Sequence, residues 1–468
     1  LKEETFQEPT KVELELTSEI IPRGVFKKLH DYQIPSVLKL IQSLRQNGAA
    51  LDASDGGTGK TIVGCAVAAT MNKRIIVCCP KSIKSGWKYW ANEFWTEAYV
   101  ENYEQYKAGN TPYGNWVTEL VTLPNGNTQK QINFKWSIPE DCMLIIDEAH
   151  RAKSLDSQNS QLLIGAADAK KNGTKVLCCS ATAACSPLEM RALGYLLDLF
   201  DLKNFWNWAQ KNGCFKGRWG MEFSGSALHL NNIHRSIFEQ IKGSRVRVCD
   251  VPNFPESIIS PESIDFGCNP QIQAAYETML WEIERLKEKM GKDAGNCILT
   301  EILRARMKVE LLKIPMMADM AKDLIEDGNS VVIFLCFQDS IDSLSKLLGW
   351  EDSTVTGKNS ETRDEVIARF QKNQKHGIIL NIQTSEAIGL HDLTGERPRV
   401  TLLNPDFSAI KIKQALLRTP RQGGKTTCVQ KFLFADGTIE NRARDRVKEK
   451  IRFIDRLNDG DLGMGINI

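Results

Sequence analysis

The chain has 468 residues, which is more than one hydrophobic core usually organises, so two domains are expected. Hydrophobic residues make up 42% and charged residues 25%, as in a soluble globular protein, and no apolar run reaches the roughly 18 to 20 residues that a membrane-spanning helix needs. Because 60 Lys and Arg nearly balance 58 Asp and Glu, any surface for a polyanion must be a local patch.

Thirteen cysteines occur, several of them in strongly apolar runs such as "IIVCCP" and "KVLCCS", and none forms a C-x-x-C pair. This usage favours buried free thiols in a reducing compartment over disulfides or a zinc site. The chain begins at Leu1 without a signal-like segment. An intracellular protein, cytoplasmic or nuclear, is therefore expected, and no feature calls for an obligate oligomer.

Short apolar runs alternate with helical stretches along the whole chain. They are "GAALDAS", "RIIVCCP", "CMLIIDE", "KVLCCSAT", "SVVIFLCF", "GIILNI" and "RVTLLN". Continuous apolar strands separated by helices indicate parallel sheets that are covered on both faces. The predicted fold is α/β, with two mostly parallel sheets.

The apolar runs divide into an earlier and a later group, separated by a polar, helix-rich middle. The proline-bearing passage 250–263 between them reads as a linker. We therefore expect an N-terminal extension over 1–28 and a first lobe over 29–252. A linker and helical region over 253–325 would lead into a second lobe over 326–468.

Residues 117–136 predict an insertion, because strand-like runs flank Pro124, Asn125 and Gly126. Asn-Gly between such runs is a strong β-hairpin signal. Further along, 205–223 is rich in aromatic residues and contains Trp206, Trp208 and Trp219. This stretch favours the core of a helical protrusion over a platform for stacking bases.

The stretch "DASDGGTGKT", Asp52 to Thr61, follows an apolar strand and precedes a helical pattern, which is the context of a phosphate-binding loop. Its backbone amides would face the phosphates, Lys60 would reach the outer phosphates, and the Thr61 hydroxyl would ligate magnesium. Ser54 occupies the place of the first glycine in the usual pattern. The predicted nucleotide-binding residues of the loop are Gly56, Gly57, Thr58, Gly59, Lys60 and Thr61.

A second acidic element, "MLIIDEAH", ends a strand. Asp147 would hold magnesium, and Glu148 would orient and deprotonate the attacking water. Together the two elements predict a Mg²⁺-dependent nucleoside triphosphate site, and such a site fits kinases, GTPases, transporters and motors alike.

The wider set of motifs resembles Snf2-like members of helicase superfamily 2. "DEAHRAKS" is similar to the family's DEAH element, and "LHDYQ", "IIVCCPKSIKSGWKYW" and "CSATAACSPLEM" are similar to its adenine-side motif and motifs Ia and III. In the second half, "VVIFLCFQDSIDSL", "GKNSETRDEVIARFQ", "IQTSEAIGLHDL" and "QALLRTPRQGGK" resemble motif IV, the element after it, motif V and motif VI. The resemblance spans roughly residues 29 to 450.

The resemblance implies two RecA-like lobes with the nucleotide between them. Gln33 would recognise adenine, and Gly389 of motif V would also lie at the nucleotide. Arg418 and Arg421 would reach the γ-phosphate from the second lobe and stabilise charge in the transition state. The family pattern is not followed at Leu417 and Pro420 in motif VI, or in the stretch Ser180-Ala181-Thr182-Ala183 of motif III.

Residues 216–252 resemble a segment of fork-remodelling, annealing-helicase relatives, which favours branched DNA as the substrate. By family position, Lys81, Ser82 and Lys84 would contact DNA from the first lobe, and Gln338 and Thr384 from the second. The hairpin over 117–136 is interpreted either as a strand-separating wedge or as an inert excursion.

The predicted function is an ATP-dependent DNA translocase or helicase that remodels forks or branched junctions. One alternative is an RNA-directed superfamily 2 helicase or transcription-release ATPase. A nucleotide-gated scaffold is the alternative from another class of protein. The compactness of the chain would suit a viral or phage enzyme.

Overall fold

The computed structural model describes residues 20–122, 128–155, 157–217, 220–290, 295–357, 362–383, 388–404, 406, 408–438, 440, 449, 452–453 and 458–459. The chain forms two compact units. The first comprises Leu1–Pro252 with Arg452–Met464, and the second comprises Asn253–Ile451 with Gly465–Ile468.

The first unit begins with α1 (Arg23–Phe26), α2 (Ile34–Asn47), β1 (Ala49–Asp52), α3 (Lys60–Thr70), β2 (Arg74–Cys79), α4 (Lys84–Glu93), β3 (Ala98–Asn102), α5 (Tyr103–Lys107), β4 (Gly114–Thr122) and β5 (Thr128–Trp136). It continues with β6 (Cys142–Asp147), α6 (Gln158–Lys171), β7 (Lys175–Cys179), α7 (Arg191–Leu196), α8 (Phe205–Lys211), β8 (Cys214–Gly217), β9 (Gly220–Phe223), α9 (Ala227–Phe238) and β10 (Gly243–Ser244).

Six strands of this unit form one parallel sheet in the order β10-β1-β7-β6-β2-β3. Every residue of β1 and β6 is buried. Strands covered on both faces need apolar side chains at successive positions, which is why these segments read as continuous apolar runs. Asp52 and Asp147 end two of the strands, so their side chains lie at the carboxyl edge of the sheet.

The predicted insertion forms an antiparallel hairpin of β4 and β5, with Gly114 opposite Trp136 and Thr122 opposite Thr128. At its base, Trp116 and Phe134 pack edge to face, with ring centroids 5.3 Å apart. Further out, Leu120 in the outer half of β4 and Ile132 at the middle of β5 are 70% and 60% exposed. The predicted turn at 124–126 lies outside the described residues.

The aromatic stretch packs around Phe200, which precedes it in the sequence. Phe205 is buried, and its ring lies 5.4 Å from that of Phe200, which in turn lies 4.5 Å from Trp208. Trp206 is 45% exposed, and Trp219 lies outside the described residues. The described part of this stretch therefore forms a small aromatic core.

Near its end the chain returns to the first unit, at the described residues 452–453 and 458–459, whereas we expected the second lobe to run unbroken to residue 468. The Phe453 ring packs on Phe223 at 5.8 Å, and Asn458 Nδ2 donates to the Ala181 carbonyl at 2.8 Å. Asp459 pairs with Arg245, with one N–O distance of 2.8 Å. These contacts join residues that are far apart in the sequence, so no short-range pattern predicts them.

The second unit contains β11 (Ser257–Ile264), α10 (Asn269–Met290), α11 (Gly295–Glu326), β12 (Ser330–Leu335), α12 (Gln338–Leu348), β13 (Thr354–Val355), α13 (Arg363–Gln371), β14 (Gly377–Asn381), β15 (Arg399–Leu403), α14 (Ala409–Leu416) and β16 (Cys428–Ala435). Its six strands are parallel in the order β11-β16-β15-β12-β14-β13.

Part of the segment predicted as a linker, from Ser257 onward, is instead strand β11. This strand pairs with β16 along its whole length, and Pro261 lies opposite Phe432. Proline lacks the N–H that a central strand needs, but β11 stands at the edge of the sheet, where the described part of the chain places a neighbour on one side only. The prolines therefore made this segment resemble a linker, although an edge strand can contain them.

A buried polar network lies beneath the carboxyl ends of the second sheet. Lys313 on α11 is fully buried and donates to Glu440 at 2.5 Å and to the Asn404 side chain at 3.2 Å. The Glu310 carboxylate accepts the backbone N–H groups of Cys336 and Phe337. Helix α11 thereby fixes the loop that leads from β12 to Gln338.

Among the described residues, no helix combines the length and apolarity needed to cross a membrane, and no group of His, Cys, Asp and Glu suits a metal cage. All thirteen cysteines are described and are free; nine of them are buried, whereas Cys249 is exposed.

Candidate active site

The phosphate-loop sequence connects β1 to α3 and folds as a tight turn. Gly57 and Gly59 have φ angles of +87° and +94°, a region that disfavours side chains. A Cβ at Gly59 would also lie 2.4 Å from Gln33 Nε2. Lys60 opens the helix, and its ammonium donates to the carbonyls of Ser54 at 2.9 Å and Asp55 at 3.2 Å.

Ser54, the departure from the usual glycine, has a partner far away in the sequence. Its hydroxyl accepts the Val246 N–H at 3.1 Å, and Asp55 N donates back to the Val246 carbonyl at 2.9 Å. Arg245 forms an ion pair with Asp55 at 3.2 Å. The segment after β10 thus holds the first half of the loop, and Ser54 supplies an acceptor that glycine lacks.

Gln33 lies directly against the loop and is fully buried. Its Nε2 donates to the Thr58 carbonyl at 3.0 Å, and its Oε1 accepts the His30 N–H at 3.1 Å. Tyr32 donates its hydroxyl to the same Thr58 carbonyl at 3.2 Å. The adenine-side segment and the phosphate loop therefore form one hydrogen-bonded group.

Asp147 and Glu148 follow β6, where the carboxyl edge of the sheet places them beside the loop. Both carboxylate oxygens of Asp147 have donors: Trp87 Nε1 at 2.8 Å and Glu148 N at 2.8 Å. Burial raises the pKa of Asp147 above its usual range, and the neighbouring Glu148 raises this pKa further. Glu148 itself has φ of +55°, an uncommon conformation for a side-chain residue.

His150 connects the acidic element to the segment after β7. Its Nδ1 lies 3.2 Å from Glu148 Oε2 and 3.2 Å from the Ser180 hydroxyl. Ser180 N donates in turn to the Asp52 carbonyl at 2.9 Å. His150 therefore joins Glu148 to Ser180 and, through Ser180, to the end of β1.

The donor set fits magnesium. Carboxylate and hydroxyl oxygens, which Asp147 and Thr61 offer, are hard ligands, and Mg²⁺ typically takes one or two such groups together with substrate phosphates. Asp147 and Glu148 are adjacent carboxylates that are largely buried, and a divalent cation offsets the repulsion between them.

The two predicted arginines belong to the second unit and follow α14. Arg418 is buried, and its carbonyl accepts the Leu390 N–H at 2.8 Å, which connects motif VI to motif V. The helix ends at Leu416, so Pro420 lies outside it. A Cβ on Gly389 would lie 3.3 Å from Arg421 Cδ and 3.1 Å from His391 Nδ1.

His391 is a further titratable group near Arg421. Burial, together with the charges of Arg421 and Arg399, lowers its pKa to about 4. This ring is therefore neutral at physiological pH and adds no charge to that of the arginines.

The residues predicted to contact nucleic acid have varied surroundings. Lys81 is exposed, whereas Lys84 is paired with Glu101 at 2.6 Å. Gln338 donates to Asp342 at 2.6 Å. Thr384 lies outside the described residues. Of these charged candidates, Lys81 has the more accessible side chain.

Comparison with known proteins assigns the family. Residues 26–182 match a sequence family described as "Type III restriction enzyme, res subunit". The chain is 30% identical over 459 residues to the "Putative ATP-dependent RNA helicase L364" of Acanthamoeba polyphaga mimivirus, covering 93% of this chain and 84% of that protein. The chain belongs to the superfamily 2 helicases.

Two solved structures are similar to this helicase over most of its length. One is the Sulfolobus solfataricus SWI2/SNF2 ATPase core in complex with dsDNA, at 16% identity, TM-score 0.35 and coverage of 92% and 93% of the two chains. The other is S. cerevisiae Dbp5 bound to RNA and ADP BeF3, at 10% identity, TM-score 0.45 and the same coverage. Neither likeness bears on the substrate.

Family membership makes the helicase an ATP-dependent enzyme, with Mg²⁺ as the usual companion of ATP. Sequence reasoning did not single out Trp87, Tyr103 or Arg245. Tyr103 donates its hydroxyl to the Asp147 carbonyl at 2.7 Å. Trp87 stands within the stretch that resembles motif Ia, but nothing in that stretch indicates the direction of its indole.

Proposed function

We propose that this helicase is an ATP-driven DNA translocase that remodels forks or branched junctions. The observation that supports its motor chemistry is the connected group of Gln33, the phosphate loop, Asp147, Glu148 and His150 in the first unit. The choice of branched DNA depends on the Snf2-like motifs and on the likeness of 216–252 to fork-remodelling relatives.

The residues take the following roles in this proposal. Lys60 and the amides of residues 56–61 hold the phosphates, and Gln33 recognises adenine. Glu148 orients the attacking water and accepts its proton. Thr61 and Asp147 hold the cation, which supplies charge neutralisation on the phosphates. Arg418 and Arg421 stabilise negative charge in the transition state, and Gly389 lets the motif V backbone approach them.

In this proposal, Lys81 and Ser82 contact the DNA backbone from the first unit, and Gln338 and Thr384 contact it from the second. Lys84 joins them if DNA displaces Glu101 as its partner. Phosphate contacts of this kind are independent of sequence and weaken as salt rises.

The experiment compares ATP hydrolysis in the presence of forked DNA, duplex DNA, single strands and RNA. It also follows ATP-driven regression of a model fork and migration of a four-way junction. We expect the largest stimulation with forks, together with regression that the Glu148→Gln variant lacks. Stimulation mainly by RNA would reject the proposal.

The alternative is an RNA helicase, and the name of the mimivirus relative favours it. The two functions differ in one further observable. An RNA helicase would displace a short RNA strand from a duplex without regressing a DNA fork. Measuring both reactions in one preparation therefore distinguishes them.

The hairpin of β4 and β5 is proposed as a strand-separating wedge at the fork. Leu120 in the outer half of β4 and Ile132 at the middle of β5 are exposed, and both sit on the face that carries Trp116 and Phe134 nearer the base. Apolar side chains inserted between bases unstack a duplex. Deleting residues 122–130 should abolish unwinding or branch migration and spare DNA-stimulated ATP hydrolysis, and unimpaired unwinding would reject the wedge.

A further inference from the structure

Trp87 is fully buried and is one of two buried side chains on α4, the other being Ala91. Its indole N–H is the only hydrogen-bond donor of the side chain. This donor lies 2.8 Å from Asp147 Oδ2. A residue of the helix that follows Lys81 and Ser82 thus contacts the carboxylate assigned to the cation.

The indole orients the Asp147 carboxylate and leaves it able to bind a cation. Oδ2 accepts from Trp87, and Oδ1 accepts from Glu148 N. Two donors on two oxygens fix the plane of the carboxylate. Because each carboxylate oxygen offers about two acceptor directions, one direction on each oxygen is left for a cation or its water.

The position of the ring is set from the other side by α3, the helix that begins at Lys60. A Cβ on Gly64 would lie 2.8 Å from Trp87 Cη2 and 3.2 Å from Cζ3. These are atoms of a rigid ring, so any side chain at residue 64 would displace the indole. The absence of a side chain at Gly64 therefore lets the ring lie between α3 and Asp147.

We propose that Trp87 is a positioning residue that holds Asp147 for the cation and couples α4 to it. Helix α4 begins at Lys84, less than one turn before Trp87, and the 3₁₀ turn Lys81–Ile83 precedes it directly. A displacement of this segment by bound nucleic acid moves the indole and with it the carboxylate. The inference depends on the proposed roles of Asp147 and of the Lys81 segment.

Trp87→Phe tests the proposal, and Trp136→Phe is the matched control. The Trp136 indole is also buried in the first unit and donates over 2.8 Å, but its acceptor is the Leu162 backbone carbonyl. Each variant removes one buried indole hydrogen bond and a similar volume. The two variants differ in the acceptor that loses its donor. This acceptor is the Asp147 carboxylate in Trp87→Phe and the Leu162 carbonyl in Trp136→Phe.

The first readout needs no turnover. Binding of ADP to the full chain is measured by calorimetry across a Mg²⁺ titration. Loss of a group that orients a metal ligand typically weakens metal affinity about 10- to 100-fold, so the half-saturating Mg²⁺ concentration should rise at least about 10-fold in Trp87→Phe. It should stay within about twofold of the wild type in Trp136→Phe, by the same reasoning.

The second readout is the ratio of ATP hydrolysis with saturating forked DNA to hydrolysis without it, both at saturating Mg²⁺. This ratio should fall in Trp87→Phe and stay unchanged in Trp136→Phe. An unchanged Mg²⁺ requirement in Trp87→Phe would overturn the positioning role, and an unchanged ratio would overturn the coupling.

Should Trp87→Phe fold poorly, β-(3-benzothienyl)alanine at position 87 replaces the N–H with sulfur at nearly constant shape, and the same two outcomes apply. Glu148→Gln is run alongside. If it keeps wild-type ATP hydrolysis, the proposed catalytic site fails; if it loses hydrolysis while Trp87→Phe behaves as wild type, only the inference about Trp87 fails.

Discussion

The two units have the same six-stranded parallel sheet and use its carboxyl edge differently. In the first unit, Asp147, Glu148 and the phosphate loop stand at that edge, and Lys60 contacts only carbonyls of its own loop among the hydrogen bonds described above. In the second unit, Lys313 and Glu440 meet each other in a fully buried pair. Parallel strand ends can therefore position a phosphate loop and acidic ligands, as in the first unit, and can also carry a buried ion pair that stabilises the fold, as in the second.

The largest expected effect concerns the chemistry of the first unit. Glu148→Gln should lower ATP hydrolysis by about 10²- to 10⁴-fold, because the amide cannot accept the proton of the attacking water. Steady-state hydrolysis with forked DNA measures the loss. Thermal unfolding of the variant should match that of the wild type. If the variant were inactive because it is unfolded, the loss would not support a catalytic role for the carboxyl edge of the first unit.

The second prediction concerns stability in the second unit. Lys313→Met should cost about 3–5 kcal/mol of folding free energy, because it leaves the buried Glu440 without its counter-charge. Urea unfolding measures the cost, and hydrogen exchange of β16 peptides locates it. The double variant Lys313→Met/Glu440→Gln should recover part of the loss. Equal losses in the single and double variants would mean that the ion pair is not the cause.

A smaller effect is expected at Ser54. Ser54→Ala should cost about 1–3 kcal/mol, since the buried Val246 N–H loses its acceptor. Ser54→Gly, which restores the usual loop pattern, should be destabilising as well. Chemical denaturation measures both. Ser36→Ala is the control: that buried hydroxyl has no hydrogen-bond partner among the described residues, so its loss should be nearly neutral.

The smallest effect is a pH dependence at His391. Its folded-state pKa of about 4 lies below the ordinary value, so the unfolded chain takes up this proton first as the pH falls. The neutral ring therefore contributes stability that is lost between about pH 6.5 and pH 4. Melting temperatures of wild type and His391→Gln should converge on acidification through this window. Parallel curves would show that burial and the charges of Arg421 and Arg399 do not lower the pKa of His391 as inferred.

Much of the site could be predicted because its residues are close in sequence and obey local rules. Gly57 and Gly59 adopt positive φ, and Lys60 begins a helix, as a phosphate loop requires. Asp147 directly follows an apolar run, and this pattern predicted an acidic residue at the end of a strand. The antiparallel pairing of β4 and β5 was likewise predicted from two strand-like runs around an Asn-Gly pair.

Other features could not be predicted, because their partners are remote. Ser54 and Val246 are 192 residues apart, and Asn458 bonds to a carbonyl 277 residues earlier. The edge strand β11 was hidden by its prolines, which local rules assign to a linker. No periodicity in the sequence around Trp87 predicts that its indole contacts Asp147.

The sequence by itself determined the two α/β sheets, the phosphate loop and the acidic strand end, because burial and backbone conformation restrict residue types locally. Only the tertiary structure decided which distant donor each acceptor meets: Val246 for Ser54, and Trp87 for Asp147. A hydrogen bond requires its two atoms to lie within about 3 Å of each other, and only the packing of whole elements fixes such distances.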